Sequence, residues 1–264
     1  MSTIITVGNY KGGVGKTISS TMIAYVLSVL YNKKVLAVDT DQQGDFVDEL
    51  EVSFKVDIDR NKNVYTACLG EEDVEDSIQT LTENLDILAG SQALKDFDND
   101  VRKKWSKKGE AVYHDKILSL ALEEVQENYD YIIIDTNPAI DLLTANVLTA
   151  ANHVLIPTKT NARDKEKTMR YFNYLVDNYE EKEFTILGVL AYLVEDSSTD
   201  RQILAMYKEL FGDFLFDSLV KSSGVVKRWS HTGITTTQGY DKQTMQMYIN
   251  VVDELLERIN REVA

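Results

Sequence analysis

The sequence predicts an α/β protein built on a doubly wound, mostly parallel sheet with helices on both faces. Three observations carry this expectation. Apolar runs alternate with amphipathic segments in a βαβα rhythm along the chain. Several of those runs, Ile132-Ile133-Ile134 among them, are continuous in Val, Ile and Leu, as strands buried on both faces of a parallel sheet require. The first run leads through a glycine-rich turn directly into a helical pattern, which is how such sheets place a ligand at the carboxyl ends of their strands.

In chain order, strands are expected at 3–8, 34–39, 85–89, 130–135, 153–156 and 184–194. Helical patterns lie between them at 16–31, 110–127, 141–150, 163–179 and 199–211, with a last one at 242–262. The segments 51–82 and 95–109 are less periodic and are expected to decorate the sheet. The 264 residues contain 13 Gly and 2 Pro, with no internal repeat and no Gly/Ser tract to mark a boundary, so 1–264 reads as a single domain.

Composition excludes several classes. No apolar stretch reaches the roughly 20 residues that cross a bilayer, and Ile4-Ile5-Thr6-Val7 follows no basic segment of the signal-peptide kind. Cys68 is alone, which removes intrachain disulfides and paired-cysteine metal sites and suits a buried, reduced thiol in the cytoplasm. His114, His153 and His231 show no metal-ligand spacing. The net charge of −15 opposes nucleic-acid binding by the chain as a whole, because such binding rests on Lys and Arg neutralising phosphates.

After the first strand comes Asn9-Tyr10-Lys11-Gly12-Gly13-Val14-Gly15-Lys16-Thr17, then the pattern Ser19–Leu30. Strand, glycine-rich turn and helix start form the setting of a phosphate loop. Glycines let successive backbone N–H groups turn inward on phosphate oxygens, and the helix N-terminus adds partial positive charge. Lys16 is expected at the β- and γ-phosphates, and the Thr17 hydroxyl on Mg²⁺. The strict pattern asks for Gly where this chain has Tyr10. Two further strands end in carboxylates: Val35-Leu36-Ala37-Val38-Asp39-Thr40-Asp41, followed by Gln42-Gln43-Gly44, and Tyr131-Ile132-Ile133-Ile134-Asp135.

Lys11-Gly12-Gly13-Val14-Gly15-Lys16-Thr17 resembles the deviant Walker A motif of the ParA/MinD family of P-loop ATPases, in which the residue before the first lysine is often not Gly. Asp39-Thr40-Asp41-Gln42-Gln43-Gly44 resembles that family's second motif, with Gln42 in place of Pro. Asp130–Asp135 resembles its Walker B strand. Asn137-Pro138 stands where the family commonly has Pro-Pro, and the likeness is weakest over 51–128. The resemblance implies a P-loop NTPase fold with ATP held by Lys11, Gly12, Gly13, Val14, Gly15, Lys16, Thr17 and Ile18, and Mg²⁺ by Thr17, Asp39 and Asp135. It implies that Lys11 reaches the partner's phosphates across an ATP-sandwiched homodimer, that Lys16 and Asp41 complete the catalytic set, and that Asp41 orients the attacking water.

The plasmid or chromosome partition branch further implies slow ATP hydrolysis, sequence-tolerant DNA binding on the nucleoid, and a centromere-binding ParB-like partner. Lys221, Lys227 and Arg228, in a basic loop at 221–231, together with Arg201, are the expected DNA contacts. In the alternative, that segment is a solvated surface loop with Trp229 tucked into the core. A second basic island, Arg102–Lys108, has no counterpart in the family. A positioning ATPase for protein cargo or of the MinD type, or less readily a metabolic P-loop enzyme, would share the core motifs. The C-terminal segment sets Asp253, Glu254, Glu257 and Glu262 against Arg258 and Arg261, so it is expected to pack on the core and not on a membrane. The nitrogenase iron protein branch needs paired cysteines and is excluded.

Overall fold

A computed structural model describes residues 2–106, 113–178, 184–237 and 239–263. Its strands are β1 (Thr3–Val7), β2 (Val35–Asp39), β3 (Gln79–Thr82), β4 (Leu85–Leu88), β5 (Tyr131–Asp135), β6 (His153–Lys159), β7 (Thr185–Val194) and β8 (Val220–Lys221). They form one sheet in the order β3-β4-β2-β5-β1-β6-β7-β8. Every neighbouring pair is parallel except β3–β4, an antiparallel ribbon at one edge.

The helices follow as α1 (Lys16–Tyr25), α2 (Asp45–Phe54), α3 (Val64–Cys68), α4 (Val74–Ser77), α5 (Phe97–Lys104) and α6 (Ile117–Glu123). After them come α7 (Leu142–Ala150), α8 (Ala162–Asn178), α9 (Ser198–Phe211), α10 (Gly224–Thr232) and α11 (Gly239–Val263). The period of two along a strand explains why the apolar runs are unbroken. Ile5, Val7, Val35, Ala37, Ile87 and Ile133 pack in one layer with α1, α2, α10 and α11. Their neighbours Ile4, Leu36, Val38, Leu88, Ile132 and Ile134 pack in the opposite layer with α3, α5, α6 and α7. Val154, Ile156 and Val189 meet α8 and α9.

Register positions the site. Val7 and Asp39 both pair with Asp135, so β1, β2 and β5 end at one level. The connection from β5 to β6 passes from one side of β1 to the other, creating the switch point where ligands bind in open α/β sheets. The phosphate loop leaves β1 at that point.

Several expectations are corrected in detail. The helix expected over 16–31 is α1 followed by a wider five-residue helical turn at Val26–Leu30. Of the helix expected at 110–127, positions 110–112 lie outside the described residues and α6 covers a shorter span. Position 179 of the α8 pattern, and Lys107 and Lys108 of the second basic island, also lie outside them. The basic segment 221–231, expected as a loop, is the end of β8 and the helix α10. Trp229 in α10 is 1% exposed, so the core-anchored alternative describes it correctly.

The C-terminal helix packs inward as expected. Met245, Tyr248, Val251, Val252, Leu255 and Ile259 recur at helical spacing, and all are buried. Glu254 and Arg258 pair along its surface at 2.8 Å, while the side chain of Glu262 lies outside the described residues. Cys68 is buried, and burial pushes its thiol up to about 12. Among the described residues no helix is long and apolar enough to cross a membrane.

Candidate nucleotide site

The loop from Gly8 to Gly15 is tied down at its start. Asn9 is buried, and its side-chain amide donates to the Pro157 carbonyl at 2.9 Å and to the Thr168 hydroxyl at 3.0 Å. Its carbonyl oxygen accepts the N–H of Lys11 at 3.1 Å. The sequence contained no signal for this strut beyond a polar residue at a strand end. Tyr10, the departure from the strict motif, turns its ring toward α8. There it meets Tyr171 edge-on at 4.6 Å between centroids and Tyr174 at 5.5 Å. A glycine there would leave that aromatic pocket of α8 unfilled.

Gly13 and Gly15 have φ of 72° and 95°, the left-handed region that side chains avoid, and this curls the loop's N–H groups into a cradle. At Gly15 a Cβ would also come within 2.6 Å of the Tyr192 ring. Lys16 opens α1 and is buried. Burial lowers its pKa, opposed by the negative charges of Asp135 and Asp41. A buried ammonium at the head of a helix is a group arranged to meet an anion.

Thr17 and Asp135, both expected on Mg²⁺, lie against each other. The Thr17 hydroxyl donates to one Asp135 oxygen at 2.8 Å, and Ser20, one turn further along α1, donates to the other at 2.9 Å. Asp135 is fully buried, and that burial pushes its pKa up to about 7 against the opposing effect of both hydroxyls and Lys16. Such a carboxylate is costly without a cation beside it. The hydroxyl and carboxylate oxygens are hard donors of the kind Mg²⁺ takes, so these residues fit that ion. Among the described residues no three His, Cys, Asp or Glu side chains form a cage of their own. A bound Mg²⁺ would therefore draw further oxygens from phosphate or water.

Asp39 makes contacts that the sequence did not predict. One of its oxygens accepts the N–H of Asp41 at 2.9 Å and the other that of Val47 at 3.3 Å. It braces the β2–α2 turn, and burial, then the charge of Asp135, holds its carboxyl well above the usual range. Gly90 makes this possible, because a Cβ there would lie 2.9 Å from the Asp39 carboxyl carbon and from the Asp41 carbonyl oxygen. Asp41 is half-buried, its charge acts on Lys16, and it accepts the N–H of Gln43 at 3.0 Å. Lys11 is half-buried at the loop's head.

A cavity of about 390 Å³ opens beside the loop, lined by Gly13, Gly15, Lys16, Thr17 and Ile18. Its remaining wall holds residues not expected there, notably Glu49, Lys159, Tyr192, Lys227 and Ser230. A larger cavity of about 730 Å³ adjoins it through Ser223, which lines both, and includes Leu219, Val225, Tyr240 and Met247.

The expected DNA contacts do not share one surface role. The Arg228 guanidinium donates to the buried Asp241 carboxylate, which also accepts from Thr235 at 2.7 Å, so Arg228 is held against α11. Lys227 faces the phosphate cavity. Lys221 is exposed with Asp196 3.7 Å from its ammonium, and Arg201 is exposed on the first turns of α9.

A parallel sheet whose first strand feeds such a loop, with Lys16, Thr17 and Asp135 converging at its end, defines the P-loop NTPase class. A protein-family profile described as an AAA domain matches residues 2–184. The sporulation initiation inhibitor protein Soj of Bacillus subtilis is 33% identical over 225 residues, covering 83% of this chain and 84% of Soj. A virulence plasmid ParA family protein of Chlamydia psittaci is 27% identical, covering 83% of this chain and 81% of that protein. Among solved structures, a Borrelia burgdorferi plasmid partition protein bound to AMPPNP superposes with a TM-score of 0.81 at 25% identity, covering 98% of this chain and 100% of that one. The chain belongs to the ParA/Soj family of P-loop ATPases.

Proposed function

We propose that this protein binds MgATP in the cavity beside Gly13–Ile18, dimerises around it, and hydrolyses it slowly as a timer for DNA partition with a ParB-like partner. The observation that carries the reading is the convergence of buried Lys16 with the Thr17–Asp135 pair at the end of β1, in a chain of this family. Lys16 and the loop N–H groups would bind the β- and γ-phosphates, and Thr17 with Asp135 would hold Mg²⁺. The ion neutralises developing phosphate charge when bound. Asp41, whose charge acts on Lys16, would orient a water for in-line attack, with the Gln43 N–H holding one of its oxygens. Lys11 would complete the partner's site in trans. The adjoining cavity, apolar at Leu219, Val225 and Met247, suits the adenine base.

DNA binding falls most readily to exposed Arg201, and to Lys221 only from the rim of the adjoining cavity, which it also lines. Dimerisation would bring two copies of each onto one assembly and so tie DNA affinity to ATP.

Two variants separate the roles. Lys16→Ala should lose nucleotide affinity by about 100-fold or more, since it deletes a buried charge facing the phosphates. Asp41→Ala should bind ATP within a few-fold of wild type and hydrolyse it about 100-fold more slowly. Titration with a fluorescent ATP analogue and a phosphate-release assay read both. Equal loss of binding in the two variants would reject this division of labour.

A further inference from the structure

We propose that α10 is a wall of the nucleotide site and that Lys227 is a polyphosphate-binding lysine, acting in cis and not on DNA. This rests on the nucleotide-binding reading above and adds a contact from outside the phosphate loop. The spacing of the cavity-lining residues carries it. Ser223, Val226, Lys227 and Ser230 all line the cavity that holds Gly13, Gly15, Lys16 and Thr17. They stand at i, i+3, i+4 and i+7, which is one face of one helix.

Contacts beyond that face anchor α10. Val225 and Trp229 are buried, Arg228 is bound by Asp241, and the Ser223 hydroxyl lies 3.1 Å from that of Thr244 on α11. On the cavity side the Ser230 hydroxyl lies 3.5 Å from Glu49, itself bonded at 2.8 Å by Thr21 of α1. Core packing thus sets the distance between Lys227 and the phosphate loop.

Charge identifies the ligand class. The cavity lining carries Lys16, Lys159 and Lys227 against Asp45 and Glu49. The three lysines come from α1, the end of β6 and α10, so cations reach this space from three elements. An anion bearing several charges along a chain, such as a nucleoside triphosphate, offers charged oxygens to more of these lysines than a nucleoside monophosphate does. An ammonium on a four-carbon stem reaches such a chain as a point charge without the fixed geometry arginine needs.

The test uses the full chain with fluorescent analogues of ATP, ADP and AMP, in wild type, Lys227→Ala and Lys227→Arg. Lys227→Ala should weaken ATP binding by about 5- to 20-fold, the range for one lost charge-assisted contact on an exposed stem. ADP should weaken less than ATP, AMP not at all, and Lys227→Arg should recover most of the loss. At a concentration of non-hydrolysable ATP analogue that saturates Lys227→Ala, its affinity for random-sequence duplex DNA should equal that of wild type. Because Lys227 is exposed, thermal melting of the nucleotide-free variant should be unchanged and so exclude misfolding as a cause. ATP affinity within two-fold of wild type in Lys227→Ala overturns the inference, and so does lower DNA affinity at saturation. Wild type that binds none of the three analogues would overturn the nucleotide reading itself.

Discussion

Glu49 carries the sharpest energetic conflict among the residues sequence reasoning passed over. It projects from α2 into the phosphate cavity with the Thr21 hydroxyl as its close partner. Burial first, then the charges of Asp135 and Asp45, push its carboxyl up to about 7, against an ordinary 4.5. Between those two pH values the folded protein holds a proton that the unfolded chain has lost. Its contribution to stability is therefore greatest below about 4.5 and declines as pH rises through 7. Asp135 slopes the same way, so the comparison must be between wild type and a single variant. Glu49→Gln, which mimics the protonated form, should match wild type at pH 5 and exceed it by about 2 kcal/mol at pH 8. Urea unfolding of the nucleotide-free protein at both pH values checks this; parallel pH profiles would show that Glu49 is solvated and ordinary.

Tyr10 shows how one element reaches into the loop of another. Its ring is clamped by Tyr171 and Tyr174 of α8, while Asn9 binds Thr168 of the same helix. The head of the phosphate loop, and with it Lys11, is thereby fastened to α8 as well as to β6. Tyr10→Ala removes the ring and leaves a void, at a cost of about 1–3 kcal/mol for a half-buried aromatic. It should also loosen the loop, seen as faster amide exchange at Lys11 and Gly12 with the rest of α1 unchanged. Uniform loss of protection through α1 would mean that the ring supports the helix and not the loop. Element boundaries were legible where periodicity was long. They were lost at α2, whose buried residues Phe46, Val47 and Leu50 run into the irregular segment after it. At α10 a serine and glycine start and two adjacent cations resemble a loop, and nine residues are too short for helical periodicity to dominate.

At the scale of the whole molecule, a net charge of −15 and the proposed DNA binding pull in opposite directions. Screening at physiological salt limits the acidic surface to a range of about 8 Å, so a local pair of cations doubled by dimerisation can prevail. With about four phosphates neutralised per dimer, the slope of log K against log salt should be about −3 to −4. The proposed dimer would couple ATP to DNA, and Lys11 tests it. Lys11→Ala should bind ATP as a monomer, yet fail to dimerise, to hydrolyse ATP and to hold random-sequence duplex. Sedimentation with a non-hydrolysable ATP analogue, followed by DNA anisotropy, reads each step. A variant that dimerises normally would reduce Lys11 to a loop residue bonded to Asn9 through its backbone.

The sequence by itself determined the layers of this protein and the residues of its phosphate loop. Both are local: two-sided apolar strands need only their own alternation, and the loop Lys11–Thr17 is contiguous between β1 and α1. Through the family resemblance it also assigned Thr17 and Asp135 to one Mg²⁺, and the two side chains are hydrogen-bonded. Tertiary structure alone decided what surrounds that core. Asp39 became a brace of the β2–α2 turn, because that turn folds back on its carboxylate. Lys227 and Arg228, neighbours in sequence, parted because α10 is a helix: one rotates toward the phosphate cavity and the other toward Asp241. Glu49 and Ser230 meet across 181 positions. No local pattern encodes such a contact, since it exists only after the packing of α2, α10 and α11 has fixed where each helix face points.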